Sequence, residues 1–377
     1  MMRLYVLAAG NERGGAASHI ATLALAMKDA ELLEQVRFVL VGDGHLADRL
    51  KDIIAPSSVA VVSGNPIKAV PELRMMLKEE RDVPLVHAHG PRINVMARIV
   101  CRNKYRWTST IHSDVFKDFL SSQWKSVLLP RVNLMALKRS VGIFVVNPLY
   151  SEFLPEKKSF LVPNGIPMTT LPHPKQYYMD QLRVQLHIPK DSIVVGIAAR
   201  LDPVKDIPTL VDAIRLLDRT DVHLAIAGDG PERTTIEERI RSQGLTTQVH
   251  MLGFVNDIQP FFAGLTVNVL PSKSEGSPTT LLEAGIAQTP NIGSDIPGIA
   301  RLLRNGETGL LFRQGDAPDL AYQLARIVND SEYAKTVTDK FESEVLPRYT
   351  PSEMLHAYRV GYRQLMGDAS ILKPPSA

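Results

Sequence analysis

Short runs of aliphatic and β-branched residues, each followed by a polar turn and a helical stretch, recur along the whole chain. "RLYVLAA", "VRFVLVG", "VPLVHAH", "RWTSTIH" and "VGIFVVN" carry the pattern in the first half, and "SIVVGIAA", "DVHLAIAG", "QVHMLGF", "LTVNVLPS" and "TPNIGSD" in the second. Apolar strands alternating with helices predict parallel sheets covered on both faces. The halves also echo each other. "LYVLAAGNERGGAASHIATLALAM" reads as strand, polar loop and helix, and so does "VVGIAARLDPVKDIPTLVDAI", about 190 positions later. "VLVGDGHLADRL" and "LAIAGDGPERTTI" then share a strand, a Gly-Asp-Gly turn and a helix. Two α/β units of the doubly wound type in tandem are the simplest account, and 377 residues is a length for two domains.

The expected organisation is a first Rossmann-like domain over 1–166, a linker over 167–190, a second Rossmann-like domain over 191–350, a helix over 351–366 that packs back on the first domain, and a disordered tail over 367–377. "GIPMTTLPHPKQYY" is Pro-rich and without a clear period, as linkers are. Two such parallel-sheet domains facing a central cleft would bind ligands at the carboxyl ends of their strands. A net charge of +3 gives no global signal for nucleic acid. The single cysteine, Cys101, excludes an intrachain disulfide, fits a reducing compartment and reads as a small buried hydrophobe. "MMRLYVLAAGNERGG" reads as a first strand and its loop in preference to a signal peptide. No apolar run is long enough to span a bilayer. The expectation is a cytoplasmic protein whose contact with the inner face of a membrane, if any, is peripheral.

The chemistry concentrates in "LPSKSEGSPTTLLEAGIAQTPNIG", Leu270 to Gly293. A strand ends near Pro271, Ser277 is a candidate N-cap, and Pro278 suits the first helical position. The first turn would then offer free N–H groups, those of Thr279 and Thr280 among them, at the positive end of the helix dipole, which suits phosphate. Gly276 lets backbone approach a ligand closely. Glu283 follows Thr279 and Thr280 by four and three residues and shares their face, where a carboxylate can hold two ribose hydroxyls. Glu275 stands just outside the helix, where a sugar beyond the phosphates would lie. A capped helix with two solvated carboxylates is the plainer account of either Glu alone; their spacing around Gly-Ser-Pro favours the ligand site.

These residues resemble a known family. "EGSPTTLLE" looks like the E-x7-E signature of retaining glycosyltransferases of the GT-B fold, in particular the family-four group. "VVGIAARLDPVKDIPTLVDAI", "LAIAGDGPERTTIEERI", "VHMLGFVNDIQPFF" and "FLVPNGIP" are similar to successive segments of that family, and "GGAASHI", "VHAHG" and "TIHSD" fall where its members carry a Gly-rich loop and two His motifs. The resemblance implies a donor that is a nucleotide-diphosphate sugar, UDP-linked by family frequency, and an acceptor that is a glycan or a lipid-linked glycan in polysaccharide or glycoconjugate biosynthesis. It assigns Glu283 to the ribose, Glu275 to the donor sugar, Gly276, Ser277, Pro278 and Thr279 to the diphosphate and sugar, and Arg200 and Lys205 to the diphosphate. It places Gly14 and Gly15 against the donor phosphate, His112 near the donor sugar with His89 as second choice, and Phe254 and Asp257 in the loop near the base. His87 is expected on the face opposite His89. Catalytic roles fall to Glu275, His112, Arg200 and Lys205. Pro167 replaces an Asp that relatives often carry after "PNGI".

No Asp-x-Asp occurs in the chain, so no metal is expected: fixed cations and helix N–H groups would stabilise the charge that grows on the leaving phosphate. No cofactor is expected. Retention could proceed through a covalent intermediate on Glu275 or by attack from the leaving-group face, the second being preferred. From Arg92 to Arg139, ten Lys and Arg face only Asp114 and Asp118. With Trp124 and several Leu, that stretch suits either an anionic membrane surface or an ordinary helix pair with a solvated basic face. The rivals are another GT-B-like enzyme, such as a sugar-nucleotide epimerase or a phosphorylase, and a non-catalytic nucleotide-binding protein of the same fold. A dehydrogenase is disfavoured, because "GNERGG" departs from G-x-G-x-x-G.

Overall fold

The structure is a computed structural model that describes residues 3–12, 14–112, 123–154, 158–367 and 371–372. The candidates Ser113, Asp114, Lys117 and Asp118 lie outside the described residues, as do the side chains of Trp124 and Lys125 and most of the 367–377 tail. The chain divides into two units, Met1–Pro167 with Thr350–Ala377, and Met168–Tyr349.

In chain order, unit 1 begins with β1 (Leu4–Ala9), α1 (Gly14–Asp29), β2 (Val36–Val41), α2 (His45–Ile53), β3 (Val59–Val62), α3 (Pro66–Glu79), β4 (Leu85–His89), α4 (Pro91–Cys101), β5 (Trp107–Ile111), α5 (Gln123–Leu137), β6 (Ile143–Val145) and β7 (Ser159–Leu161). Unit 2 holds α6 (Lys175–Leu186), β8 (Ile193–Ala198), α7 (Ile207–Leu217), β9 (Val222–Ala227), α8 (Arg233–Ser242), β10 (Val249–Gly253), α9 (Ile258–Gly264), β11 (Val267–Leu270), α10 (Thr279–Ile286), β12 (Asn291–Ser294), α11 (Pro297–Ala300), β13 (Leu310–Phe312), α12 (Ala317–Asn329) and α13 (Ser331–Glu344). The chain then returns to unit 1 in α14 (Pro351–Met366).

Among the described residues the first sheet runs β3-β2-β1-β4-β5-β6-β7 and the second β10-β9-β8-β11-β12-β13. All named pairings are parallel. Both units are therefore Rossmann-like and share one topology: the first strand lies between the second and the fourth. The order reverses beside β1 and β4 in unit 1, and beside β8 and β11 in unit 2. A crevice opens outside the carboxyl ends at such a reversal, because the two flanking crossovers leave on opposite faces.

Period-two alternation explains why the strands read as continuous apolar runs. In β1, Leu4, Val6 and Ala8 enter a core made with α1, α2 and α14, while Tyr5 and Leu7 enter another made with α3, α4 and α5. In β8, Val195 and Ile197 pack with α7, α8 and α12, while Val194 and Ala198 pack with α6, α9 and α10.

Two expectations need correction. The span 167–190 is not a featureless linker, because it holds α6. Tyr178, Leu182 and Leu186, four apart, form one buried stripe, and the Pro-rich lead-in hides that period. His87 does not face away from His89. Residues two apart on a strand share a face, and the two rings lie 4.4 Å apart.

In α14, Met354, Leu355, Tyr358 and Tyr362 are buried in the unit 1 core, so this helix completes a domain that the chain left about 180 residues earlier. Tyr358→Ala should cost unit 1 about 3–5 kcal/mol, measured by chemical denaturation. A loss below about 1 kcal/mol would show that α14 is only loosely docked.

Candidate active site

In unit 2 the loops leaving β8 and β11 meet at the topological reversal. The first begins with Arg200 and continues into the short turn Pro203–Lys205, where Asp202 accepts a hydrogen bond from the Val204 amide at 3.1 Å. The second runs from Ser272 to Pro278. Lys205 Nζ donates to Glu275 Oε1 at 2.6 Å, and Ser272 Oγ donates to the same oxygen at 2.6 Å. The side chains of the pair are 23% and 10% exposed. A reciprocal pair stitches the loops again: Lys273 Nζ lies 3.1 Å from Asp206 Oδ1, and the Lys273 amide donates to the Val204 carbonyl at 2.7 Å. Behind them, Ser294 Oγ donates to the Ser272 carbonyl. Gly298 comes so near that a Cβ there would stand 2.1 Å from the Glu275 carbonyl oxygen, so only glycine lets α11 approach.

The helix after Glu275 starts one residue later than expected. Pro278 occupies the N-cap, Thr279 is the first helical residue, and no side chain caps the end. Ser277 contributes its carbonyl, which accepts from the Thr279 amide at 2.9 Å, so the Thr279 N–H is not free as expected. The flat φ/ψ pair of Pro278, −75° and 82°, tightens the entry into a turn that uses this donor. α10 is anchored elsewhere. Asn291 Nδ2 donates to the Leu281 carbonyl at 2.9 Å and Asn291 Oδ1 accepts from Asn268 at 2.8 Å, all in the core. At the far end Lys175 Nζ donates to the carbonyls of Ala287 and Gln288 and to Thr289 Oγ1, placing a cation at the negative end of the helix. Burial pushes Lys175 down to about 7.

Glu283 is half-buried, and burial pushes its carboxyl above the usual range. Among the described residues it has neither a hydrogen bond nor an ion pair, and the same holds for the exposed Arg200 guanidinium. Phe254, on the loop after β10, is 78% exposed, and Asp257 occupies the N-cap of α9 without a side-chain bond to it.

Unit 1 has a different character at the same place in its sheet. Gly14 has φ +68°, and a Cβ added to Gly14 or Gly15 would meet nothing within 4 Å. The carboxyl ends of β4 and β5 carry a chain of buried rings. His19 Nδ1 bonds Asn164 Oδ1 at 2.6 Å and His19 Nε2 bonds the Tyr358 hydroxyl at 2.7 Å. Tyr358 bonds Thr110 Oγ1, which bonds His87 Nε2, and His87 Nδ1 bonds Tyr362. His89 Nδ1 bonds His112 Nε2 at 3.0 Å, and buried His89 Nε2 has no partner among the described residues. Burial lowers the pKa of all four histidines, His19 to about 4, and their mutual proximity lowers those of His87, His89 and His112 further. These rings are neutral at pH 7.

Of the residues expected from sequence, Lys205, Glu275, Gly276, Ser277, Pro278, Thr279 and Glu283 form one constellation with Arg200 on the same loop as Lys205. Gly14, Gly15 and His112 belong to unit 1. The sequence reading missed Ser272, Lys273, Asp206 and Gly298, and in unit 1 it missed Asn164, Thr110 and the i, i+4 pair Tyr358 and Tyr362. Ser272 and Lys273 stand within the quoted segment, but the groups they bond are 22 and 67 positions away.

A protein-family model described as Glycosyl transferases group 1 matches residues 179–342. That match takes in most of the second unit. The chain is similar to the O-antigen biosynthesis glycosyltransferase WclY of Escherichia coli, 26% identical over 81% of this chain and 85% of that one. It is also similar to the UDP-Gal:alpha-D-GlcNAc-diphosphoundecaprenol alpha-1,3-galactosyltransferase of Escherichia coli, 25% identical over 81% and 84%. Among solved structures, Anabaena Alr3699/HepE in complex with UDP superposes with a TM-score of 0.80 at 19% identity, over 97% of this chain and all of that one. The lipopolysaccharide outer core galactosyltransferase WaaB gives 0.71 at 18%, over 97% and 99%. The fold is thus GT-B, and the unit that matches the family model carries the E-x7-E pair on α10 and the loop before it.

Two outcomes test this geometry. Gly298→Ala should force the Glu275 loop away and lower turnover at least about tenfold, as misplacing a reacting group by an ångström does; unchanged turnover would refute the packing role. Glu283 has a folded pKa above its unfolded value, so its contribution to stability falls as pH rises through that interval and is unfavourable at neutral pH. Glu283→Gln should therefore raise the melting temperature at pH 7, with the difference vanishing below about pH 4.5. A lower melting temperature at pH 7 would show that the carboxylate has a stabilising partner.

Proposed function

We propose that the protein is a retaining glycosyltransferase that moves a sugar from a UDP-sugar to a glycan or lipid-linked acceptor without a metal ion. The observation that carries this reading is the constellation at the reversal point of unit 2. One loop supplies two cations, the next supplies a carboxylate and a helix amino end, and a second carboxylate on that helix is left without a partner. A nucleoside diphosphate sugar has the matching parts: two hydroxyls for Glu283, a diphosphate for Arg200, Lys205 and the first turn of α10, and a sugar for Glu275. Phe254 offers an exposed ring beside the loop where the base would lie. UDP as the nucleotide is supported by the Alr3699/HepE complexes with UDP and with UDP-glucose and by the donor in the name of the Escherichia coli galactosyltransferase. The same name supports a diphosphate-linked lipid acceptor, and WclY supports a place in O-antigen assembly.

In this mechanism the bond between the anomeric carbon and the diphosphate oxygen breaks, and its electron pair goes to that oxygen. Arg200, Lys205 and the α10 amino end are already positioned to stabilise the charge, so little reorganisation opposes the step. Lys205 has three donors and spends one on Glu275, leaving two for phosphate. The acceptor hydroxyl bonds to the anomeric carbon on the face the diphosphate leaves, and its proton passes to the departing oxygen. Glu275 Oε1 accepts from both Lys205 and Ser272, which fixes the carboxylate and leaves Oε2 toward the sugar. Its role is to orient sugar hydroxyls. We assign acceptor binding to unit 1; His112, which the resemblance puts near the donor sugar, has a neutral imidazole that can exchange hydrogen bonds with a sugar hydroxyl without imposing charge. No helix among the described residues is long and apolar enough to cross a membrane, so a lipid-linked acceptor would be met at a surface.

Equilibrium binding and turnover separate the two carboxylates. Glu283→Ala should weaken UDP binding by about 10- to 100-fold, the worth of hydrogen bonds to a charged group. Glu275→Ala should leave UDP binding nearly unchanged and cut transfer by two or more orders of magnitude. The opposite pattern would overturn the assignment. Arg200→Ala should remove most of the thermal stabilisation that UDP confers; full retention would detach the diphosphate from this loop.

A further inference from the structure

The amino end of the unit 1 sheet holds a cavity of about 580 Å³, on the side away from His89 and His112. Arg102, Lys104, Arg106 and Arg139 line it together with Tyr105 and Met366, and no Asp or Glu does. Among the described residues none of the four cations is paired with a carboxylate. Arg106 reaches only the Met366 carbonyl, at 3.4 Å, and Lys104 lies 5.4 Å from the Tyr105 ring centroid.

Helix dipoles account for part of this charge. α4, α5 and α14 all end at the cavity, at Cys101, Leu137 and Met366. Each carboxyl end carries roughly half a negative charge, roughly −1.5 in all against four cations, which leaves an excess of roughly +2.5. Like charges lining one cavity repel, and that excess matches a dianion. The backbone points the same way. Arg102, just past α4, holds φ 47° and ψ −121°, a conformation that glycine adopts without strain and side chains rarely do. The chain keeps an arginine there.

We infer that this cavity is a second anion site, built for a phosphate-type group carrying two or more negative charges. It is not a subsite of the transfer reaction. β4 and β5 are five residues long, which separates the cavity from their carboxyl ends by roughly 16 Å. The site therefore holds the protein to a phosphorylated surface or molecule while transfer takes place elsewhere. The group can be borne by a soluble molecule or by a lipid headgroup; both present the same oxygens.

The inference is independent of the donor reading and is tested apart from it. The probe is pyrophosphate, titrated calorimetrically at low salt into the full chain carrying Arg200→Ala, which weakens the donor site. Binding should persist in that background and fall by about tenfold or more when Arg106→Gln and Arg139→Gln are added. Its strength should also decrease with added salt. The four side chains are exposed at the cavity mouth, so the melting temperature should move little; if the double variant misfolds, Lys104→Gln with Arg139→Gln replaces it. No binding in the Arg200→Ala chain, or binding untouched by the cavity changes, overturns the proposal. Vesicles of neutral lipid with and without phosphatidylglycerol identify the source: capture by anionic vesicles that the cavity variant loses assigns a lipid headgroup, and pyrophosphate binding without capture assigns a soluble anion.

Discussion

The ion pair between Lys205 and Glu275 is the contact on which the constellation at the unit 2 reversal point, the proposed donor site, depends. It joins two loops that leave the sheet at its point of reversal, one after β8 and one after β11. Together they make a closed arrangement: Lys205 to Glu275, Lys273 to Asp206, and the Lys273 amide to Val204. The pair is largely shielded, so its charges attract more strongly than a surface pair would. Desolvation opposes it, and the Ser272 hydroxyl offsets part of that cost. Breaking either partner would leave a shielded charge without a counterion and would also release the loop that starts α10. Order in this loop is what keeps a cation, a carboxylate and a helix amino end within reach of one ligand.

α10 itself is held by polar groups more than by length. It has only eight residues, too short to be stable alone. The buried Asn268–Asn291 pair clamps its middle to the sheet, and Lys175 closes its carboxyl end. Its amino end has no side-chain cap, and there the Thr279 and Leu281 amides bond the Ser277 and Pro278 carbonyls, so the positive end of the helix dipole, more than free N–H groups, is what this end offers an anion. Glu283 follows the same logic. A carboxylate raised by burial and lacking a partner weakens the fold, and sites that accept such a cost are those where a ligand supplies the missing bonds.

Much of this was legible in the sequence, for reasons specific to each element. The sheets announced themselves because parallel strands are apolar on both faces, and the twin organisation because both halves carry the strand, Gly-Asp-Gly turn and helix in the same order. Glu275, Glu283, Arg200 and Lys205 were legible because a short local spacing fixes their relation to one helix or one strand end. What escaped were links across the topology. Nothing local says that Lys273 meets Asp206, that Gly298 lies against Glu275, or that tyrosines of the last helix bond histidines near the start. α6 escaped because prolines mask its four-residue period, and the relative facing of His87 and His89 was misread although period two decides it. The start of α10 moved by one residue because Pro278 turns the chain before the helix begins.

The two units share a topology and differ in charge at the corresponding point, and that difference fits the chemistry proposed for each. In unit 2 the reversal point presents fixed cations and carboxylates. A diphosphate that gains charge as it departs needs such groups, oriented beforehand. In unit 1 the same point presents two glycines and a buried row of imidazoles whose mutual proximity and burial keep them uncharged. Protonating any one would place a cation beside three rings that cannot disperse it. A neutral imidazole can donate to one oxygen and accept from another, which suits hydroxyls that must be aligned without being ionised. Thr110, Tyr358 and Tyr362 hold the rings of His19 and His87 in place through hydrogen bonds, and the tyrosines come from α14, the helix that returns to unit 1. Loss of that helix would therefore unsettle the unit 1 reversal point even though α14 contributes no residue to the constellation around α10.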